Sequence, residues 1–436
     1  MGSTPFGFGP GTGGDDGGAP FFRELEKLLS WSGGPVNWDL ASQVAVRATA
    51  EADAASPTAA NDLAEAADAV RLADVWLDGA TVLPSGVRET QVWTRRQWIE
   101  ATLPTWTVLC DPVASKVVEA MTSGVQGGLA ALAGGEMPPE LAGMLPAGTS
   151  AADLAAATGP LLGMMGQLGG LLFGAQVGNA LGALAGEVLT STDVGLLLGP
   201  AGVAALMPAA LRTFGDGLEA PADQVRLWHA LREAAHHRLF AHVPWLRGRL
   251  TAAVEDYARG IEVDPEAIAR AASSIDPTDP ASLQRALGDD SVFAGQTSPA
   301  QQAALARLET MLALVEGWVD EVVFAAASPR LPSASALREA VRRRRATGGP
   351  AEQTFATLVG LELRPRRLRE AAALWQALLD ARGVDGRDAV WAAPDLLPGS
   401  ADLDDPIAYV TGSSSVPDDP IAAINQLESQ GGDEPA

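Results

Sequence analysis

The sequence has little cysteine, lysine or histidine. The single cysteine and the small number of basic residues each exclude a class of protein. A single cysteine, Cys110, rules out an internal disulfide, so we expect a buried thiol, a reducing compartment and a cytoplasmic location. The 30 basic residues, almost all arginine, face 54 acidic ones, which leaves a formal net charge of -24. So negative a chain is a poor partner for nucleic acid or an anionic membrane surface. The expected partner is a peptide or protein whose identity the sequence leaves open.

Strand patterns and the common catalytic loops are also missing from the 436 residues. No stretch of convincing length alternates apolar and polar residues, and no Gly-rich phosphate loop, nucleophile elbow or Cys-x-x-Cys motif occurs. Pervasive helical periodicity predicts an all-α fold with one large helical domain over residues 21–395. We expect a disordered Gly-rich tail at residues 1–20, without the features of a signal peptide, and an acidic, mostly disordered tail at residues 396–436.

A long uncharged stretch, residues 154–186, raises the question of a membrane span. Glycine recurs at every fourth position from Gly166 to Gly186, a stripe that lets helices approach closely in a bilayer. Polar residues such as Gln176 and Asn179 interrupt the stretch, and neither lysine nor arginine flanks it. The pattern favours a buried central helix and no membrane span. Its glycine face is expected to lie against the histidine-containing helix described next.

All four histidines fall within one segment, VRLWHALREAAHHRLFAHVPWLR, at His229, His236, His237 and His242. The segment has no glycine, and no proline before position 244, which predicts a helix that ends near His242. At 100° per residue, His229, Glu233 and His236 project from one face, and apolar residues project from the opposite one. A carboxylate and imidazoles on one face of a helix indicate a site built on a scaffold.

The spacing of these residues narrows the chemistry. Residues three or four apart on a helix can reach a common point, so Glu233 can share a metal or a proton with His236 or with His237. His229 lies roughly 10 Å along the axis from His236, too far for both to bind one ion. The zinc-protease pattern His-Glu-x-x-His requires a histidine at position 232, where this sequence has Arg232.

The segment LREAAHHRLFAHVPWLR resembles the signature helix of a family of bacterial hydrolases classed as zincin-like metallopeptidases. The resemblance continues in NWDLASQVAVRAT, LARLETMLALVEGWVDEVV and LVGLELRPRRLREAAALW, and it extends over residues 21–406. It implies a zincin-like fold with Glu233 as general base, His236 as a zinc ligand and Glu316 as a further ligand from a later helix. Arg232 stands where the family has its first zinc ligand.

A second long helix is predicted from Pro299 to about Ala327, because Ser298-Pro299 is a typical helix start. On this helix Glu316 lies about 40° from Leu312, so it borders the apolar stripe. A carboxylate near a core needs a partner, and a metal, His236 or Arg232 would each serve. A partly exposed acid at the rim is the alternative. We expect the two long helices to face each other across a central site.

Arginine is dense from Arg338 to Arg345. In isolation such a run indicates phosphate binding. In so acidic a chain it is better explained as a solvated helix face whose arginines pair with aspartate and glutamate.

Three functional hypotheses fit the sequence. In the first, the protein is a zinc-dependent hydrolase of the peptidase class, in which Glu233 polarises a metal-bound water and His236 and Glu316 hold the ion. His237 or His229 would assist.

The second hypothesis is a non-catalytic binding or scaffold protein without a cofactor, in which Arg232 takes the place of the metal and pairs with Glu233 or Glu316. The third treats Glu233-x-x-His236 as half of a dinuclear carboxylate site. That site needs a second Glu-x-x-His, which the remaining histidines do not offer.

Overall fold

Helices dominate the structure, a computed structural model that describes residues 34–133, 170–171, 173–260, 298–346 and 367–412. This confirms the predicted fold class. The elements in chain order are α1 (Trp38–Ala55), α2 (Asp62–Leu77), β1 (Glu89–Val92), α3 (Arg95–Ala133), α4 (residues 173–187), β2 (Val203–Leu206), α5 (Pro208–Gly215), α6 (Ala222–His242), α7 (Pro244–Arg259), α8 (Pro299–Ala327), α9 (Ala334–Ala346), α10 (Leu368–Asp388), α11 (Ser400–Asp404) and α12 (Pro406–Thr411).

Both predicted tails fall largely outside the described residues, which begin at Gly34 and end at Gly412. The helices α11 and α12 lie in the segment predicted as an acidic tail. Arg367 binds Asp404 of α11, and Leu403 is buried against the helical core. Disorder remains a prediction for residues 1–20 and 413–436.

A two-stranded parallel sheet is a feature of the described fold that sequence periodicity did not predict. The strands β1 and β2 pair in a register that runs from Glu89 opposite Val203 to Val92 opposite Leu206. Four residues are too few to establish an alternating pattern, so the strands carry no clear signal. The pair matters for the site because β2 brings its backbone against α6.

The helix α6 ends at His242 as predicted, and Pro244 begins α7. Every residue from Val225 to Leu239 except Arg226 is buried. The face with the carboxylate and imidazoles is therefore buried, as is the apolar face opposite. The helix lies in the interior, enclosed by α2, α5, α8 and β2. Each of its charged side chains consequently needs a partner within the protein.

In the described part of the glycine stripe, Gly174, Gly178 and Gly182 pack against α1 and its N-cap residue, and not against α6 as expected. A Cβ at Gly178 would lie 2.6 Å from the carbonyl oxygen of Ala41, and a Cβ at Gly174 would lie 2.6 Å from the carbonyl oxygen of Asn37. The opposite side of α4 is exposed at Gln176 and Asn179, so the helix is not fully buried. Within the described part of the chain, no helix combines the length and hydrophobicity needed to cross a membrane.

Packing against α10 fixes the position of α8. Gly317 allows the close contact, since a Cβ there would lie 2.7 Å from the Cβ of Ala371. Trp375 of α10 stacks on Trp391 at 5.2 Å between ring centroids, and its indole donates to the carbonyl of Leu314 at 2.9 Å. These contacts lie within one turn of Glu316 and hold that residue towards α6.

Candidate functional site

Glu316 of α8 lies at the centre of a buried cluster of charges, with 1% of its side chain exposed. Its Oε2 accepts a hydrogen bond from Arg232 Nη2 at 2.7 Å and forms an ion pair with Arg345 Nη1 at 3.0 Å. Its Oε1 lies 3.1 Å from His236 Nε2. The prediction that Glu316 is within hydrogen-bonding reach of α6 is confirmed, and the alternative of an exposed acid is wrong. Four side chains from α6, α8 and α9 therefore form one unit.

Both ring nitrogens of His236 face oxygen atoms. Its Nδ1 lies 2.8 Å from the carbonyl oxygen of Arg232, which can only accept, so Nδ1 donates. Its Nε2 faces Glu316 Oε1. Burial alone would raise the pKa of Glu316, but Arg345, Arg232 and His236 hold that pKa well below its ordinary value. The carboxylate of Glu316 is therefore ionised within the cluster.

Arg345, at the end of α9, enters the cluster instead of facing solvent. Arg345 is 14% exposed and donates from Nη2 to the carbonyl oxygen of Asp193 at 2.6 Å. Arg344 donates to the carboxylate of Asp193 at 2.9 Å. The predicted pairing with acids holds, as for Arg338, which binds Asp320 at 2.7 Å. The predicted solvent exposure is wrong for Arg345. Its guanidinium contacts Glu316 and the carbonyl oxygen of Asp193 instead of water.

Glu233 forms a second, separate cluster with donors from β2 and from the loop before it. Its partners are the Ser191 hydroxyl, the Thr192 amide at 3.1 Å and hydroxyl at 2.6 Å, the Ala205 amide at 3.1 Å and His237 Nε2 at 3.3 Å. Burial alone would raise the pKa of Glu233, but the bonds from His237, Ser191 and Thr192 outweigh it and lower the pKa to about 2. With 0% exposure, this carboxylate joins α6 to β2 and has no open side.

The structure divides the residues that the sequence placed together. Arg232 and His236 contact α8, whereas Glu233 and His237 contact the β2 side. Of the two pairings considered for Glu233, the structure contains the one with His237. The donors around Glu233 were missed, because the amide of Ala205 has no side-chain signal. Ser191 and Thr192 belong to an ordinary Ser-Thr-Asp loop sequence, which indicates no particular partner.

His229 lies apart from both carboxylates and is 1% exposed. Neither ring nitrogen has a hydrogen-bond partner among the described residues, and the ring meets Phe214 edge-on at 4.9 Å. Burial lowers the pKa of His229 to about 3, and Arg232 acts in the same direction, while Asp193 opposes it. The imidazole is therefore neutral in the folded protein at ordinary pH.

The residues of the Glu316 cluster do not fit a zinc ion. His236 and Glu316 are two suitable ligands, but catalytic zinc takes three protein ligands and one open position. The next side chains around Glu316 are the guanidiniums of Arg232 and Arg345, which cannot ligate and which repel a cation. Within the ranges that the structure describes, no three His, Cys, Asp or Glu side chains are grouped closely enough to hold a metal.

The loop before β2 closes directly over the cluster. Gly195 has a φ of +82°, and a Cβ at this position would lie 2.6 Å from Glu316 Oε1. No space remains for a ligand on this side of the carboxylate. A cleft of about 500 Å³ lies elsewhere, between α7, the first half of α8 and residues 394–400, and none of its lining residues belongs to either carboxylate cluster.

Comparison with known proteins agrees with this helical fold. A family model described as zincin-like metallopeptidase matches residues 36–410. A crystal structure from Chloroflexus aurantiacus, described as that of "a putative hydrolase with a novel fold", superposes with a TM-score of 0.59 at 20% sequence identity. The superposition covers 87% of this chain and 98% of the other, so the two share a fold. No curated protein matches the chain.

Proposed function

The chain belongs to the zincin-like metallopeptidase family, and we propose that it is a non-catalytic member of that family. In this proposal it keeps the fold as a binding or scaffold protein. The observation that carries the proposal is the 2.7 Å ion pair between Arg232 and Glu316, both buried. Arginine stays protonated at any ordinary pH and is not a zinc ligand. Its guanidinium supplies the positive charge beside Glu316 that a metal ion would otherwise supply.

The surroundings of Glu233 support the same proposal. A general base must have a lone pair directed at the water or substrate whose proton it takes. Both oxygens of Glu233 accept from backbone amides, and each accepts further hydrogen bonds from side chains. A carboxylate held in this way has a structural role. We therefore assign Glu233 to the connection between α6 and β2.

A zinc-dependent hydrolase is the second candidate, and one distance favours it. His236 Nε2 and Glu316 Oε1 lie 3.1 Å apart, close to the separation of about 3.3 Å between two ligands of one tetrahedral zinc. A working site would also require Arg232 and Arg345 to leave Glu316, and Glu233 to lose donors. His237 and His229 would be auxiliary residues in that case. The non-catalytic proposal requires no such rearrangement.

We propose a peptide or protein as the partner and the cytoplasm as the location. The net charge of -24 disfavours nucleic acid and anionic membranes. Cys110 is free and buried, and burial raises its pKa well above the ordinary value, so the thiol is unreactive.

Zinc titration with a peptidase assay tests the proposal. The unaltered protein and the His236→Ala variant are dialysed against chelator and titrated with zinc, and both are assayed on a mixture of unstructured peptides. We expect no zinc site of stoichiometric occupancy and no zinc-dependent cleavage in either protein. One zinc per chain in the unaltered protein, lost in the variant together with cleavage, would establish the hydrolase instead.

A further inference from the structure

The guanidinium of Arg345 forms an ion pair with the same oxygen of Glu316 as that of Arg232. The two nitrogens lie 3.0 Å and 2.7 Å from Oε2, the first from α9 and the second from α6. The zincin motif on α6 includes position 232 but has no relation to α9. The second positive charge beside the Glu316 carboxylate is therefore a feature that the zincin motif does not predict.

Arg345 is held in place from several directions. Its Nη2 donates to the carbonyl oxygen of Asp193 at 2.6 Å, so the guanidinium bridges α8 and the loop before β2. The preceding turns of α9 are tied to Asp320 by Arg338 at 2.7 Å and by Arg342 at 2.6 Å. Leu337 and Val341 of the same helix are buried. Moving Arg345 away from Glu316 therefore also breaks its bond to the loop before β2, while α9 itself stays anchored to α8.

We propose that Arg345 is a second, independent barrier to metal binding, so that restoring the histidine of the zincin motif at position 232 does not by itself create a zinc site. The inference rests on the proposed function and extends it from α6 to α9. In the Arg232→His variant the introduced imidazole, His236 and Glu316 are a complete set of three zinc ligands. The guanidinium of Arg345 still lies beside Glu316 Oε2 in this variant, and its positive charge repels a divalent ion. Both guanidiniums must be removed before the ligands can hold zinc.

Six purified proteins test this inference: the unaltered chain, Arg232→His, Arg345→Gln, a control, and two double variants that combine Arg232→His with Arg345→Gln or with Arg345→Met. The control is Arg343→Gln, on the same turn of α9, whose side chain is 74% exposed and binds Glu339. Zinc affinity is measured by competition with a chromophoric chelator. Cobalt is used in parallel, because tetrahedral cobalt absorbs strongly in the visible range. The double variant with Arg345→Met keeps the packing of the side-chain stem. Circular dichroism and thermal unfolding identify the folded variants.

The double variants are expected to bind zinc at least about 100-fold more tightly than either single variant and to give the cobalt spectrum. The single variants and the control should stay within about tenfold of the unaltered protein. If Arg232→His alone binds as tightly as the double variants, Arg345 is no barrier, while the proposed function stands. Folded double variants without a gain in affinity also overturn the inference. Stoichiometric zinc in the unaltered protein overturns the proposed function itself.

Discussion

Arg232 of α6 and Glu316 of α8 form a 2.7 Å ion pair at which both side chains are at most 5% exposed. Taking a carboxylate and a guanidinium out of water is costly, and their attraction repays that cost only when other hydrogen bonds complete the arrangement. At Glu316, His236 Nε2 provides a further polar contact and Arg345 provides a second ion pair. The pair is therefore one part of a four-residue unit, and removal of its only carboxylate should affect the whole unit.

Glu316→Gln is predicted to lower the free energy of unfolding by about 3–5 kcal/mol. The substitution leaves two guanidiniums, Arg232 and Arg345, facing a neutral amide whose NH2 group is itself a donor. Urea unfolding at neutral pH measures the change. Glu255→Gln, on an exposed position of α7, is the matched control and should change stability by no more than about 0.5 kcal/mol. Equal effects of the two substitutions would contradict the ion-pair account.

Glu233→Gln is predicted to cost about 2–4 kcal/mol, although the two side chains have nearly the same shape. One oxygen of Glu233 accepts from the Thr192 amide and the other from the Ala205 amide. An amide side chain must therefore place its NH2 group against a backbone N–H in either orientation. A variant of unchanged stability would show that these backbone contacts are absent, and would leave Glu233 available as a base.

The end of α6, both ends of α8 and the contact between the two helices follow from the sequence for simple reasons. Ser298 caps α8 by accepting from the Gln301 amide, and Pro299 occupies the first turn as expected. A carboxylate near a core needs a partner, and Arg232 was among the partners predicted for Glu316. Local chemistry determines these features, and local chemistry can be read from a sequence.

The remaining features of the fold and of the site depend on which helix and loop surfaces pack against each other. The glycine stripe correctly indicated close packing, but small residues do not specify their neighbour, and the neighbour is α1. The arginine run predicted ion pairs, yet only the orientation of α9 determines that Arg345 reaches Glu316. The donors to Glu233 include backbone amides, and every non-proline residue has one. These long-range relationships leave no local pattern in the residues that form them.

Gly195→Ala is predicted to destabilise the protein by two separate effects. The φ of +82° disfavours any residue with a Cβ by about 1–2 kcal/mol, and the Cβ would also overlap Glu316 Oε1 at 2.6 Å. Gly217 separates the two effects, because it has a φ of +83° and no atom within 4 Å of its Cβ position. Thermal unfolding should show a clearly larger loss for Gly195→Ala. Equal losses would mean that the loop does not close over Glu316.

His229→Leu is predicted to change the response of the protein to acid. The pKa of His229 is about 3 in the folded protein and near the ordinary 6.5 when unfolded, so the unfolded chain takes up a proton first. Stability from this residue is complete above about pH 6.5 and is lost as the pH falls towards 3. Leucine cannot take up the proton, and it removes two ring nitrogens without a hydrogen-bond partner in the described structure.

At about pH 7.5 the leucine variant should therefore be within about 1 kcal/mol of the unaltered protein or more stable. Its advantage should grow by about 1 kcal/mol per pH unit between about pH 6.5 and 4.5. His237→Leu is the control on the same helix, equally buried but bonded to Glu233, and it should be destabilised throughout. A difference between His229→Leu and the unaltered protein that does not vary with pH would contradict the neutral state of His229.

The most direct test of the account is a crystal of the unaltered protein soaked in zinc, with anomalous diffraction recorded on both sides of the zinc absorption edge. The account predicts no zinc peak at the Glu316 cluster, with the guanidiniums of Arg232 and Arg345 still on Oε2. Peaks on exposed acidic residues elsewhere would leave the account intact. A peak within about 2.2 Å of both His236 Nε2 and Glu316, with the two arginines displaced, would contradict it.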